Sequence, residues 1–229
     1  MNLFKQWLSD IKQDPIIRKA ALSVAGLAVV GGAIAGPATA AGVEPTPAQT
    51  VSTAVVQSAP APPHAKTLDY QYQAQETFYY CGPAATRIAL TALDRTPSQD
   101  EVAKHLGTTV NGTNSAEDVT RALKELGGKD YRTVSIPGPQ ASDDETNRMK
   151  SDIVRAISDG RAVVVNIQGT AVDTDGDAHS YPGGHYLTVV GYDEDGGKVT
   201  IADPYDPKGQ YVMTIDTVAD WAATHGYSA

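Results

Sequence analysis

Cys81 is the only cysteine in the 229-residue chain, and it sits in the stretch QETFYYCGPAA, residues 75–85. A thiol attacks a carbonyl only as the thiolate, and at its reference pKa of about 8.5 it is mostly protonated at neutral pH. A helix beginning at the cysteine supplies partial positive charge and unpaired N–H groups that favour the anion. Gly82 and Pro83 give such an entry. Proline suits a first helical turn, and glycine lets the chain turn tightly beside an approaching substrate. The commoner fate of a cysteine is a small buried apolar residue. Export of the chain, argued below, weighs against that, because Ala or Val would fill a core position without redox risk.

A thiolate also needs a donor for the oxyanion it creates and a base. Gln75 lies six residues before Cys81, and its amide could join the Cys81 N–H around a developing negative charge; Gln71 and Gln73 are close by, so this signal has weight only beside the cysteine. Of the five histidines, His64 falls in a linker, His105 in the last turn of a helix, His225 near the C-terminus and His179 in a loop rich in Asp and Ser. His185 follows Pro182-Gly183-Gly184 and opens a strand, with Gly184 leaving backbone and cavity room beside it.

The hairpin formed by HYLTVVGYD and GKVTIADP picks out this histidine. Antiparallel partners have position numbers with a constant sum. Setting His185 opposite Asp203 gives 388, which also pairs Leu187 with Ile201 and Val189 with Val199. These apolar residues share one face with His185 and Asp203, while Tyr186, Thr188, Tyr192, Lys198 and Thr200 take the other. A shift of two residues keeps the face and moves the pair one diagonal step. A carboxylate so placed fixes the imidazole tautomer and favours the imidazolium that accompanies a thiolate. Asp193, at the far end of the hairpin, and Asp206, beyond Pro204, are the fallback candidates.

The elements that must hold these groups come in two halves. Helices are expected from Pro83 through Leu93, over SQDEVAKHLG with Ser98 as N-cap, over SAEDVTRALKELGG with Ser115 as N-cap, and from Asp143 to Ser158 with Met149, Ile153, Ala156 and Ile157 inward. Then the period changes. RAVVVNIQG (161–169), HYLTVVGYD, KVTIADP and GQYVMTI read as strands, EDGG as a hairpin turn, and Asp216 as the cap of a last helix. Helices first and antiparallel strands afterwards is an α+β order, with the helices expected on one side of the sheet.

Residues 1–40 have a polar lead-in ending in Arg18-Lys19, an apolar run from Ala20 to Ala35, and Ala38-Thr39-Ala40 as an A-x-A site. This reads as a signal peptide for secretion; left uncleaved, it would retain the chain at the cell surface. Residues 41–66 form a Pro/Ala/Thr-rich linker, and residues 67–229 one domain with folding from near Leu68. Losing Lys5, Lys12, Arg18, Lys19, Asp10 and Asp14 leaves 14 basic against 25 acidic residues. That excess argues against nucleic acid and anionic membrane surfaces as partners. A single cysteine allows no internal disulfide.

QETFYYCGPAA, GGHYLTVVGYD and IADP together resemble the bacteriocin-processing, double-glycine branch of the papain-like cysteine peptidases, in a free-standing secreted form. The resemblance runs over roughly residues 68–220 and implies a papain-like fold, with the cysteine helix packed against the sheet that carries His and Asp. It implies Cys81 as nucleophile, His185 as base, Asp203 as its orienter and Gln75 as oxyanion donor, with a peptide or protein substrate and no cofactor. Tyr80 stands where a small polar or acidic residue often precedes the cysteine, which alters the neighbouring subsite. Well-known members are transporter domains; this sequence has neither a multi-span segment nor a G-x-x-x-x-G-K-[ST] motif, so Gly-Gly leader specificity is not carried over. The same groups could also run acyl transfer or cell-wall amide cleavage, and a non-catalytic surface-binding module is the rival from another class.

Asp173, Asp175 and Asp177 alternate before His185 in a calcium-like spacing. The EF-hand pattern would need Gly at its sixth position and Glu at its twelfth, where this chain has Ala178 and Gly184. A solvated loop that could act as a lid is the expectation, and no metal site is assigned.

Overall fold

The computed structural model describes residues 61–229; the expected signal peptide and most of the expected linker lie outside the described residues. In chain order the elements are β1 (Lys66–Thr67), α1 (Cys81–Thr91), α2 (Gln99–Leu106), α3 (Ala116–Gly127), β2 (Thr133–Val134) and α4 (Asp143–Ser158). They continue with β3 (Val163–Val172), β4 (Ala178–Asp193), β5 (Lys198–Ala202), β6 (Gln210–Thr214), α5 (Ile215–Trp221) and β7 (Gly226–Ser228). Four helices precede a mainly β second half, the expected α+β order.

The helices start where their side chains can satisfy first-turn N–H groups. Ser98, Ser115 and Ser142 accept from the N–H of Glu101, Asp118 and Glu145, and Ser142 with Glu145 completes a capping box. Each such cap is worth about 1 kcal/mol. Gly107 and Gly128, both left-handed, end α2 and α3. On α4 the buried apolar residues are the four expected, Met149, Ile153, Ala156 and Ile157. The last helix is capped by Thr214, whose hydroxyl accepts from Thr217 N–H, and not by Asp216, which lies inside the first turn.

All strand pairs are antiparallel in one seven-stranded sheet ordered β2-β7-β3-β4-β5-β6, with β1 added to β4. Pairing begins at Lys66, two residues before Leu68. The helices lie on both faces, not on one. Thr188 Oγ1 donates to Ala85 O of α1, and Ser228 Oγ to Ala116 O of α3, so α1–α3 cover one face. On the other, Tyr227 donates to Asp152 of α4 and Tyr181 stacks on Trp221 of α5. Two covered faces explain why β4 is buried continuously from Tyr186 to Tyr192, so that Tyr186, Thr188 and Tyr192 of the more polar set are packed while Lys198 and Thr200 stay partly exposed.

The β4–β5 register differs from direct opposition of His185 and Asp203. Val189 faces Ile201, two residues from the expected Val199, and an irregularity between Val189 and Gly191 leaves Tyr192 facing Val199. The extra residue turns β4 over locally, so Val189 and Tyr192 share a face although their numbers differ by an odd count. The β3–β4 hairpin is also longer than its sequence signals imply. Both strands run to Val172 and Ala178, leaving 173–177 as a short turn in place of a lid-like loop.

Candidate active site

Cys81 is the first residue of α1, and the helix is pinned to β4 by the buried Thr188–Ala85 hydrogen bond of 2.8 Å. The side chain is half-buried beside His185, and the backbone N–H groups of Tyr186 and Gly82 favour its anion. Burial pushes the thiol pKa up. The His185 hydrogen bond, the charge of that ring and the two N–H groups outweigh it, and the net pKa lies below that of an ordinary thiol. The cysteine at this helix entrance is thereby more readily ionised than an ordinary thiol.

His185 Nε2 lies 2.7 Å from Asp203 Oδ1, with both side chains buried. The contact forms along the diagonal that the shifted register leaves. Nε2 is taken by the carboxylate, so Nδ1 is the nitrogen left for Cys81. Burial disfavours the imidazolium, but the bond to Asp203, the bond to Cys81 and both charges prevail, and the pKa rises to about 9. Asp203 is itself fully buried, which alone would raise its pKa; His185, the Tyr205 N–H and the Tyr211 hydroxyl hold it below the ordinary carboxylate value.

Four donors surround that carboxylate. Oδ1 takes His185 Nε2 and, at 2.9 Å, Tyr205 N–H. Oδ2 accepts from Tyr181 Oη at 3.0 Å and Tyr211 Oη at 2.8 Å. The Tyr181 ring also lies on the His185 ring, with centroids 4.0 Å apart and planes 20° apart, while Tyr205 meets it edge-on. Two aromatic walls thus restrict the imidazole to rotation about one axis, where the Asp203 bond stops it.

The remaining expected site residues are placed as follows. Gly184 lines a cavity of about 390 Å³ together with Cys81, His185, Asn166, Thr113 and Tyr186. Its φ of 88° is a conformation that glycine adopts without strain. Gly82 is buried beneath Thr113, whose side chain a Cβ there would overlap, so its missing side chain makes room for a neighbouring loop and not for a substrate. Tyr80 turns outward, its hydroxyl donating to Asp100 Oδ1 at 2.7 Å. Gln75 anchors next to Asp203: its N–H donates to Pro204 O, and its Nε2 donates to Thr77 O at 2.8 Å. Its Oε1 is buried without a partner.

Of the fallback carboxylates, Asp193 caps the turn after β4, and Asp206 pairs with His179. His64 and His105 pair with Asp195 and Glu125, and His225 lines the rim of the same cavity as Cys81. The Asp-rich turn is only partly solvated. Asp173 is buried and its Oδ1 accepts from the N–H groups of Asp175 and Asp177, which folds the turn back on itself. Among the described residues no group of three or more His, Cys, Asp or Glu side chains is placed to hold a metal ion.

Tyr181, Tyr211 and His179 are the site-proximal residues that sequence reasoning missed. Strand alternation would have found two of them: positions 179, 181 and 185 share parity, but Pro182-Gly183-Gly184 reads as the end of a loop. The β3–β4 pairing shifts there, between Ile167 and Gly169, and the strand continues through it. Tyr211 carries no local signal, since only the β5–β6 pairing brings it to Asp203.

Among solved structures the chain is similar to the peptidase domain of Streptococcus ComA, a bi-functional ABC transporter involved in a quorum sensing pathway. That match has 18% identity, covers 70% of this chain and 97% of that one, and has a TM-score of 0.48. A double glycine motif protease from an AMS/PCAT transporter, crystallised with the leader peptide, matches at 16% identity over 71% of this chain and 91% of its own, with a TM-score of 0.46. Xylellain, a cysteine protease from Xylella fastidiosa, matches at 11% identity over 73% and 85%, with a TM-score of 0.47. No curated protein matches the chain. The model of the Peptidase_C39 like family matches residues 67–229, well over half of the sequence, and the chain belongs to that family.

Proposed function

We propose that this chain is a cysteine peptidase that hydrolyses peptide bonds outside the cell. Family membership supports the peptidase class. The observation that carries the finer reading is the buried His185–Asp203 contact of 2.7 Å beside a cysteine whose thiolate is favoured. In this reading the Cys81 thiolate attacks the carbonyl carbon of a peptide bond, and a C–S bond forms as the carbonyl π pair moves onto oxygen. The Cys81 N–H, which has no intrahelical acceptor, and the amide hydrogen of Gln75 not given to Thr77 hold that oxyanion. His185 Nδ1–H then protonates the leaving amine as the C–N bond breaks. The neutral ring next takes a proton from water as its oxygen bonds to the thioester carbon; the C–S bond then breaks, releasing the carboxylic acid product and restoring the thiolate–imidazolium pair.

Asp203 keeps Nε2 protonated throughout, so Nδ1 is the only nitrogen that exchanges a proton with the substrate. The cavity beside Cys81 is walled by Asn166, Thr113, Gly184 and Tyr186, with few large apolar groups, which fits an extended peptide held by backbone hydrogen bonds. Residues 1–40 read as the export signal and 41–66 as a spacer ahead of the peptidase domain at 67–229. Among the described residues no helix is long and apolar enough to cross a membrane.

The test is cleavage of a peptide library by the 67–229 domain and by the full chain, read by mass spectrometry. Discrete cleavage sites lost in Cys81→Ala and His185→Ala are expected. An intact library with a folded, reduced protein would reject hydrolysis of peptides.

A further inference from the structure

His179 is a buried histidine that the proposed chemistry does not use. Its Nε2 lies 3.1 Å from Asp173 Oδ2 in the β3–β4 turn, and its Nδ1 lies 3.1 Å from Asp206 Oδ2 in the β5–β6 loop. Nε2 is hydrogen-bonded to Asp173 and Nδ1 stands within ion-pair distance of Asp206, so the ring lies between carboxylates of two segments. Its face stacks on Tyr211, with centroids 3.8 Å apart and planes 20° apart. The Tyr211 hydroxyl in turn donates to Asp203 Oδ2 at 2.8 Å.

Both ends of this bridge are fixed. Asp173 Oδ1 is held by two N–H groups of its own turn. Asp206 organises the loop that begins at Asp203: its Oδ1 accepts from Lys208 N–H, its carbonyl accepts from Gly209 N–H, and Asp203 N–H donates to Gly209 O. Tyr72 Oη reaches the carbonyls of both Asp203 and Asp206. Lys208 and Asp177 also link the two turns, but both are exposed, and such pairs contribute little. Thr174 N–H donates to Val212 O and joins the turn to β6, and His179 is the buried side chain that joins the turn to the loop itself.

We propose that His179 is a positioning residue for Asp203: it ties the β3–β4 turn to the β5–β6 loop and backs the Tyr211 ring whose hydroxyl fixes the carboxylate. The role rests on the reading of Cys81, His185 and Asp203 as the reacting set. It also accounts for the Asp173-x-Asp175-x-Asp177 spacing without a cation, since Asp173 serves the histidine and its neighbours shape the turn.

The experiment is the pH dependence of Cys81 alkylation by iodoacetamide, which reads the single thiol with no substrate. It is run on wild type, His179→Ala, Asp203→Asn and the double variant, with melting to confirm folding. His179→Ala is expected to slow labelling at pH 6 by about tenfold and raise the acid limb by about one pH unit. In the Asp203→Asn background it is expected to add nothing, because a residue acting through Asp203 has no second route. A wild-type limb in folded His179→Ala, or equal slowing in both backgrounds, would overturn the proposal. If His179→Ala fails to fold, Tyr211→Phe enters the same cycle with the same criteria, since it keeps the ring and removes only the hydroxyl. Wild type labelling as an ordinary thiol would instead overturn the reacting set and this role with it.

Discussion

Asp203→Asn isolates the charge that holds His185. His185 rises from 6.5 to about 9 against the opposing effect of burial, a net preference of roughly 3 kcal/mol for the imidazolium at about 1.36 kcal/mol per unit. The hydrogen bond that His185 donates to Asp203 is the foremost favourable contribution, followed by the bond to Cys81 and the charges of both groups. Neutralising the carboxylate removes the larger share while burial persists, so the His185 pKa is expected to fall by more than one unit. The shape of the site is kept. An asparagine carbonyl can accept from His185 Nε2 and Tyr205 N–H in place of Oδ1, and the amide can donate to the Tyr181 and Tyr211 oxygens once those hydroxyls rotate. Stability should fall by about 1–3 kcal/mol, because the Tyr181 and Tyr211 hydroxyl protons lose the carboxylate oxygen that accepts them. The assay is a pH series of iodoacetamide labelling, paired with peptide turnover. Labelling at pH 6 should drop by tenfold or more, and turnover should drop further, since Asp203 also keeps the proton on the correct nitrogen. An unchanged acid limb in the folded variant would refute the claim that Asp203 controls the thiolate.

Gly82→Ala should destabilise the fold by roughly 1–3 kcal/mol, because the new methyl meets the Thr113 side chain in a packed contact. Thermal melting would show the loss, and Thr113→Gly added to it should recover most of the drop. The elevated pKa of His185 also makes a pH prediction for stability. A group raised in the folded state contributes fully below its unfolded pKa of 6.5, and that contribution is lost as pH rises through about 9. The melting temperature of wild type relative to His185→Gln should therefore shrink between pH 6.5 and 9.5; a constant difference across that window would contradict the assignment.

Local chemistry decided what the sequence could tell. Serine caps, terminal glycines and 3.6-residue apolar stripes are set within one or two turns, so the bounds and inward face of α4 were legible directly. Alternation along β4 and β5 likewise put His185 and Asp203 on one face with Leu187, Val189, Val199 and Ile201. The grouping of Cys81 with His185 was legible because few other residues of the chain could activate a thiol.

Tertiary structure decided the rest, because those features depend on contacts between segments far apart in the chain. The turn and the irregularity near Val190 together set Val189 opposite Ile201, two positions from Val199, and a period-2 pattern reads the same face in either pairing. Helices on both faces follow from the paths of the connections, since a strand buried on two sides reads only as apolar. Gly82 answers to Thr113, 31 positions away, and Tyr211 reaches Asp203 only across the β5–β6 pair. His179 looked like part of a polar loop because its two carboxylate partners come from separate turns. Residue types and spacing singled out Cys81 and His185; the packing of distant segments determined how firmly His185 is held.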